Sequence, residues 1–452
     1  MANERVEADV CVVGAGFAGL AAARRLRAEG RSVVVLEARD RVGGRVWAHR
    51  LSDGSVVDRG GAWFGAGHRA AFALAAETQT GTYKTWVKGS HLLIGQGRTR
   101  RYRGLIPRIS PLAVVTTALA LARADRWARQ VPLEEPWTAR RAGEWDARSV
   151  EWWLDRTGIR TQLARDLFDS AVRGLFGHDL DEVSLLHLLF LVRAHGGLNK
   201  LFSIENGAQE NLVDGGAGSV AERLAADLGD AVRLNEPVLS IKQHADSATV
   251  ASATTTVTAR RVVVAIPPAF TPEIEFDPAL PADRAQLYRG STAGWETKTL
   301  LVYDEPFWRD DDLSGQTAEP GSLSEVTIDA SPAAGSPGVI ASFTFGHVAR
   351  DAARLPVADR RQKVLEVLAA RFGARAASPA HFVETQWWEE RWSRGCSFAH
   401  LPPGALTRYG PLIRQPMGLV HWAGTETATQ FHGSIDGAIN SGWRAANQIL
   451  ES

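Results

Sequence analysis

Residues 8–37 carry the pattern that most limits what this chain can fold into. An apolar run, Ala8-Asp9-Val10-Cys11-Val12-Val13, feeds Gly14-Ala15-Gly16-Phe17-Ala18-Gly19, and that feeds the helical pattern Leu20 to Leu26. A second apolar run, Ser32 to Leu36, ends at Glu37. In a strand–turn–helix–strand unit of this kind, Gly14 permits the tight turn. Gly16 lets backbone approach a pyrophosphate, and Gly19 lets helix and strand pack closely. Phe17 and Ala18 open the helix, whose free N–H groups and positive dipole end suit phosphate. Glu37, about twenty residues on, is placed to accept both hydroxyls of an adenosine ribose. The unit predicts a dinucleotide site and leaves NAD and FAD open.

The residues that follow separate the two. Ala38-Arg39-Asp40-Arg41-Val42-Gly43-Gly44-Arg45 sets a glycine pair between arginines, and Gly60-Gly61-Ala62-Trp63 follows. An NAD unit needs neither. Glycines for close backbone approach and arginines for charge neutralisation suit a second stretch of the same pyrophosphate.

Composition bounds the rest. The chain has 452 residues, 45% hydrophobic and 23% charged, with formal net charge zero. That length predicts two or more domains, and the neutral balance speaks against nucleic acid and anionic membrane surfaces as partners. Arg98, Arg100, Arg101, Arg103 and Arg108 form a local basic stretch, read as a solvated face or a rim. The N-terminus lacks a signal-peptide pattern, and the longest apolar run, 111–122, falls short of the ~20 residues of a membrane span. Two cysteines, Cys11 and Cys396, provide no disulfide framework and suggest a reducing, cytoplasmic setting. No metal is expected.

Residues 64–204 read as mostly helical, with apolar spacing near 3.6 over 70–77, 111–128, 150–155, 161–175 and 184–195. Strands are expected at 232–234, 238–241, 249–253, 261–266, 298–303, 339–345 and 420–422, and helices at 359–372 and 437–450. Gly216-Ala217-Gly218-Ser219-Val220-Ala221 imitates a second nucleotide fingerprint. No proper strand is expected before it, so it is read as a loop opening an ordinary helix.

The C-terminal stretch Ala423-Gly424-Thr425-Glu426-Thr427-Ala428-Thr429-Gln430-Phe431-His432-Gly433-Ser434-Ile435-Asp436-Gly437-Ala438 resembles the A-G-T-E-T-A-T signature of the flavin-containing monoamine oxidases. So do the E-x-R-x-R-x-G-G-R register from Glu37 to Arg45, Asn206-Gly207-Ala208-Gln209-Glu210, Glu236-Pro237-Val238, and Trp387 to Cys396 followed by Pro402-Pro403-Gly404. The resemblance runs almost end to end. It implies an α/β, two-domain FAD-linked oxidoreductase in which a Rossmann-type FAD-binding domain (1–78, 207–287, 388–452) is interleaved with a mixed-sheet and helical substrate domain (79–206, 288–387). The implied activity is oxidation of an amine C–N bond by hydride transfer to flavin N5. The imine hydrolyses, and O2 is reduced to hydrogen peroxide.

The same resemblance implies residue roles. Beyond the glycines, Glu37, Ala38, Arg39, Arg45, Gly61, Ala62, Trp63, Val238, Trp392, Gly424, Thr425, Glu426, Ser434 and Ile435 would contact FAD. Cys396 falls where covalent members carry a thioether to the flavin, and both a bond and a free thiol stay open. Lys298 falls on the lysine that holds a water beside flavin N5. Gly174, Leu175, Phe202, Gln209, Ser397, Phe431, His432 and Ser434 would line the substrate pocket, with His400 a further candidate. The family's paired aromatic-cage tyrosines correspond here to Ser397 and Ser434, which makes simple arylalkylamines doubtful substrates. An L-amino-acid oxidase or a flavin-dependent desaturase on the same fold is the alternative; the former would need an arginine to hold a carboxylate. A homodimer is open, and no C-terminal membrane anchor is expected after Ser452.

Overall fold

The computed structural model describes residues 4–104 and 110–452; Arg108 lies outside the described residues. The strand Glu4–Val13 ends in four buried residues, Val10 to Val13, as a strand covered on both faces should. It pairs in parallel with Thr255–Val264 on one side and Val33–Leu36 on the other. Val420–Trp422 joins Thr255–Val264, also in parallel. The full sheet has eight strands, with Val232–Arg233 at one edge and Ala248–Ala251, Ser240–Gln243 and Glu275–Asp277 toward the other. Its strands come from three separated segments of the chain.

Helices Phe17–Ala28, Gly218–Leu228 and Ile435–Leu450 bury Leu20, Ala22, Val220, Leu224, Ile439 and Ala445 against Val10, Val12, Val35 and Val263 of this sheet. Small residues let the first and last of these helices nearly touch: a Cβ on Gly442 would stand 2.1 Å from the Ala18 carbonyl oxygen.

A second sheet of seven strands runs His381–Gln386, Glu296–Tyr303, Gly338–Phe345, Val326–Asp329, Leu313–Ala318, Ser90–Gly95, Arg98–Tyr102. Helix Gln162–Phe176 packs on it through Leu163 against Leu93 and Tyr102, and helices Pro111–Ala128 and Leu185–Ala194 pack against each other alongside. The helical reading of 64–204 fails at 82–102, where the chain makes the strands Thr82–Lys84, Ser90–Gly95 and Arg98–Tyr102. The cause is local: Gln96 and Gly97 both take positive φ, 56° and 68°, which gives a two-residue hairpin turn. Arg98 and Arg101 of the basic stretch are solvated charges on the resulting edge strand, where they discourage edge-to-edge pairing.

The second glycine motif also differs from its sequence reading. A strand does precede it, Asn211–Val213, but it pairs antiparallel with Thr82–Lys84 outside the large sheet. The following helix receives a carboxylate from the protein itself: Asp58 Oδ1 accepts from the Ala217 N–H at 2.9 Å. Cβ atoms on Gly216 and Gly218 would strike Asp58 and Ala48, so no phosphate fits there. Among the described residues no helix is long and apolar enough to cross a membrane.

Candidate active site

A cavity of about 980 Å³ starts at the carboxyl ends of the first two parallel strands and runs between the two sheets to the helix Pro111–Ala128. A crevice at strand carboxyl ends is where open α/β sheets bind ligands. Its near end is lined by Glu37, Ala38, Arg39 and Val238, and its neck by Gly14, Gly16, Phe17, Ala18, Gly43, Gly44 and Arg45. Gly61, Ala62, Trp63, Trp392, Cys396, Gly424, Thr425, Ser434 and Ile435 come next, around Lys298. The far half carries Gly174, Leu175, Phe202, Gln209, Ser397 and His432, with Phe343, Phe345 and Val114 beyond.

Backbone geometry gives the fingerprint glycines their separate jobs. Gly14 has φ +99°, a turn conformation L side chains avoid. Gly19 is not on the cavity wall; a Cβ there would lie 1.9 Å from the Gly14 oxygen, so its role is close packing. Gly16 is open, with nothing within 4 Å of a built Cβ. The helix it opens has neither a side-chain cap nor an acidic residue in its first turn, so its N–H groups have no anionic partner from the protein. Glu37 is buried at the end of its strand, accepting from the Ala15 N–H at 2.7 Å and the Arg39 N–H at 3.0 Å.

Two buried donors on this wall also lack partners, Arg39 Nε and Trp63 Nε1. Orphaned buried donors call for an acceptor. A cradle with open backbone N–H groups, unpaired donors and a terminal carboxylate fits a dinucleotide with its adenosine at Glu37 and its far end at Lys298.

The reactive end is built on two buried ion clusters. Arg45 holds Glu426 with two bonds, at 2.6 and 3.1 Å, and donates a third to the Ser397 carbonyl at 3.0 Å. Glu426 also accepts from the Ala399 N–H at 3.0 Å and stands behind the cavity wall, bracing Arg45. Burial works to raise the Glu426 pKa, but the Arg45 charge and the hydrogen bonds hold it below the ordinary carboxylate range.

Lys298 lies on the strand Glu296–Tyr303, all of it buried. Its Nζ donates to the Gly60 carbonyl at 2.8 Å and stands 5.0 Å from the Trp63 ring centroid. Burial lowers the Lys298 pKa to about 8, against the opposing charges of Asp58 and Glu296. Cys396 is buried beside them, and burial raises its pKa.

The two serines behave differently from each other. Ser434 caps the last helix: its Oγ accepts from the Gly437 N–H at 3.1 Å and donates to the Phe431 carbonyl at 2.6 Å. Its hydroxyl is thereby used within the fold. Ser397 Oγ donates to Glu296 Oε2 at 3.1 Å. Phe431 is not on the cavity wall; its positive φ of 49° turns it onto His68, 4.8 Å between ring centroids. His400 is also off the wall, with Nε2 3.1 Å from the Glu182 carbonyl and Nδ1 3.3 Å from the Thr292 hydroxyl, which a neutral ring satisfies by donating to the first and accepting from the second.

His432 does line the cavity, but its nitrogens are engaged. The Leu401 N–H reaches His187 Nδ1, His187 Nε2 meets His432 Nε2 at 3.4 Å, and His432 Nδ1 meets the Ala428 carbonyl. One tautomer set satisfies the series, with His187 donating to His432 and His432 donating to Ala428. Burial keeps His432 neutral, with its pKa lowered to about 4. It therefore offers the cavity a ring, set edge-on to Phe398 at 5.0 Å. Among the described residues lining the cavity there is no tyrosine, and the only arginines are Arg39 beside Glu37 and Arg45, which is committed to Glu426 and the Ser397 carbonyl.

Several lining residues escaped the sequence reading: Glu236, Glu296, Phe343, Phe345, and Val114 and Asp125 on the helix Pro111–Ala128. Glu296 had a usable signal, since it stands two residues from Lys298 on a strand, and period two puts both on one face. The others sit on elements whose mutual placement no local pattern reveals.

The chain resembles known proteins over nearly its whole length. Residues 17–450 match the family model described as flavin containing amine oxidoreductase. The chain is 41% identical to a Mycobacterium tuberculosis protein named as a flavin-containing monoamine oxidase, AofH, over 98% of this chain and 96% of that protein. It is 36% identical to human amine oxidase [flavin-containing] B, over 98% of this chain and 86% of that one. Among solved structures, a putrescine oxidase with putrescine bound superposes with a TM-score of 0.96 at 31% identity, covering 99% of this chain and 100% of that one. Cyclohexylamine oxidase from Brevibacterium oxydans does so with 0.94 at 32%, covering 98% and 99%. With a cradle shaped for a dinucleotide and relatives that carry flavin, the cofactor is FAD, and the chain belongs to the flavin containing amine oxidoreductase family.

Proposed function

We propose that this FAD-dependent amine oxidase acts on amines bearing a bulky, largely apolar substituent. One observation carries the reading: the cavity that begins at the dinucleotide fingerprint passes Lys298 and continues between walls that are mainly apolar and aromatic. Bound FAD supplies a two-electron acceptor that takes hydride from the amine α-carbon and passes the electrons to O2, so that imine and hydrogen peroxide form.

The chain's own residues do the rest. Glu37 would hold the adenosine ribose, and Gly16 with the first helix N-terminus would receive the pyrophosphate. The Arg45–Glu426 pair braces the loop that carries Cys396 and Ser397. Lys298, charged at neutral pH on a pKa of about 8, would hold a water and counter negative charge developing on oxygen. Cys396 on the cavity wall supports a thioether to the flavin. The larger sheet and its helices form the FAD-binding unit in this reading, and the smaller sheet with the helical layer forms the substrate unit.

An L-amino-acid oxidase finds less support. Among the described residues the substrate half has no lining arginine to pair with a carboxylate. Phe398 and the neutral His432 ring, rather than two phenols, border the reacting amine, which suits a wider apolar group. A peroxide-release screen over arylalkyl, cycloalkyl, secondary and polyamine substrates plus amino acids tests the reading. Turnover of cycloalkyl or other bulky apolar amines is expected; turnover confined to amino acids would overturn it.

A further inference from the structure

Among the described residues five carboxylates line the cavity, and four of them have other employment. Glu37 and Glu236 belong to the adenosine end, and Glu236 accepts from the hydroxyls of Ser252, Thr254 and Thr255. Glu273 pairs with Arg394. Asp125, at the opposite end, accepts from the Leu198 N–H at 3.0 Å and caps that short helix. Glu296 is different. It starts the strand that carries Lys298, points to the same side, and lines the cavity at the reactive end. The Ser397 hydroxyl fixes one of its oxygens at 3.1 Å.

We propose that Glu296, oriented by Ser397, binds the substrate's ammonium group and takes its proton before oxidation. The proposal rests on the amine oxidase reading and adds to it a named proton acceptor in place of an aromatic cage. Hydride can leave the α-carbon only when the nitrogen lone pair is free, yet most amines arrive protonated at neutral pH. The step is a simple transfer: the N–H bond of the ammonium breaks, an O–H bond forms on Glu296, and no bond to carbon changes. Glu296 later returns the proton to water.

The surroundings suit the task. Burial raises the Glu296 pKa above the ordinary carboxylate value, while the Ser397 hydroxyl, the Lys298 charge and the Cys396 thiol partly offset that. These are the charged and titratable groups that face it; Arg45 reaches the same loop, but is committed to Glu426 and the Ser397 carbonyl. A carboxylate more basic than usual, held by the Ser397 hydroxyl at the reactive end of the cavity, is a better proton acceptor than an ordinary one. Ser397 is a positioning residue here.

The test is anaerobic flavin reduction in Glu296→Gln across a pH series, with the panel amine that reduces the wild type fastest. Gln keeps the shape and the Ser397 contact but cannot take a proton, so the variant must wait for amine already neutral in solution. At pH 7 its reduction rate should fall on the order of tenfold or more. That rate should climb about one decade per pH unit and converge on the wild type above the amine's own pKa. A merely structural role would lower the rate equally at every pH, and an unchanged profile or a uniform drop overturns the proposal. If the variant does not hold FAD, the wild type decides. Its acidic limb must fall at the same pH for benzylamine and cyclohexylamine; a limb that moves with amine basicity overturns the proposal. A wild type that no amine reduces instead overturns the amine oxidase reading itself.

Discussion

Substituting the two fingerprint glycines separately distinguishes cofactor contact from packing. Gly16 has φ −73° and ψ 176°, a conformation alanine adopts freely, and its Cβ would meet no protein atom within 4 Å. Gly16→Ala should leave the apoprotein intact or raise its stability by about 0.4–1 kcal/mol, through the reduced freedom of the unfolded chain. The methyl group projects into the neck where the pyrophosphate would lie, so FAD affinity should fall by at least about tenfold, ~1.4 kcal/mol. Gly19→Ala should do the reverse. Its Cβ would sit 1.9 Å from the Gly14 oxygen, and overpacking of that kind costs roughly 1–3 kcal/mol or more. Thermal melting of apoprotein, together with FAD titration by flavin fluorescence quenching, reads both quantities. A Gly16→Ala protein that binds FAD as tightly as wild type would refute the placement of the pyrophosphate.

Lys298→Met should slow flavin reoxidation by O2 far more than its anaerobic reduction by amine, as seen by stopped-flow absorbance; an unchanged oxygen step would remove Lys298 from that role. If Cys396 forms the thioether, acid precipitation should leave yellow colour on the polypeptide, and Cys396→Ala should release it to the supernatant. Burial lowers the pKa of His68 to about 3 and of His195, His400 and His432 to about 4. Between those values and 6.5 the unfolded chain binds more protons, so stability is full above pH about 6.5 and is lost as pH falls toward 4. The slope reaches at most ~5 kcal/mol per pH unit for four protons. Urea midpoints that stay flat from pH 7 to 5 would contradict it.

The cofactor end was legible because its chemistry is local. A turn, a helix start and a strand end within thirty residues bring Gly14, Gly16 and Glu37 together, whatever the rest of the chain does. The strand that carries Lys298 was readable from its β-forming residues, Thr299 to Tyr303, which end just before Glu305-Pro306. The hairpin at 90–102 was lost among helical signals, since its turn residues Gln96 and Gly97 are ordinary by type and special only by φ. The substrate half was less legible still. Whether Ser434 faces a ligand or caps a helix depends on one rotamer. Whether Phe431 reaches the cavity depends on a backbone angle, and Asp125 lines it only because two distant helices pack together. Glu296 became meaningful once the loop carrying Ser397 was folded against its strand.

In the proposed function an amine delivers its electrons to FAD held in this cavity. Mixing the oxidised holoprotein with cyclohexylamine and the other panel amines in the absence of oxygen tests it most directly. At least one bulky apolar amine should bleach the visible flavin absorbance, and admitting O2 should restore it with one hydrogen peroxide per flavin. A flavin that stays oxidised with every amine, and is bleached instead by NADH or NADPH, would contradict the account.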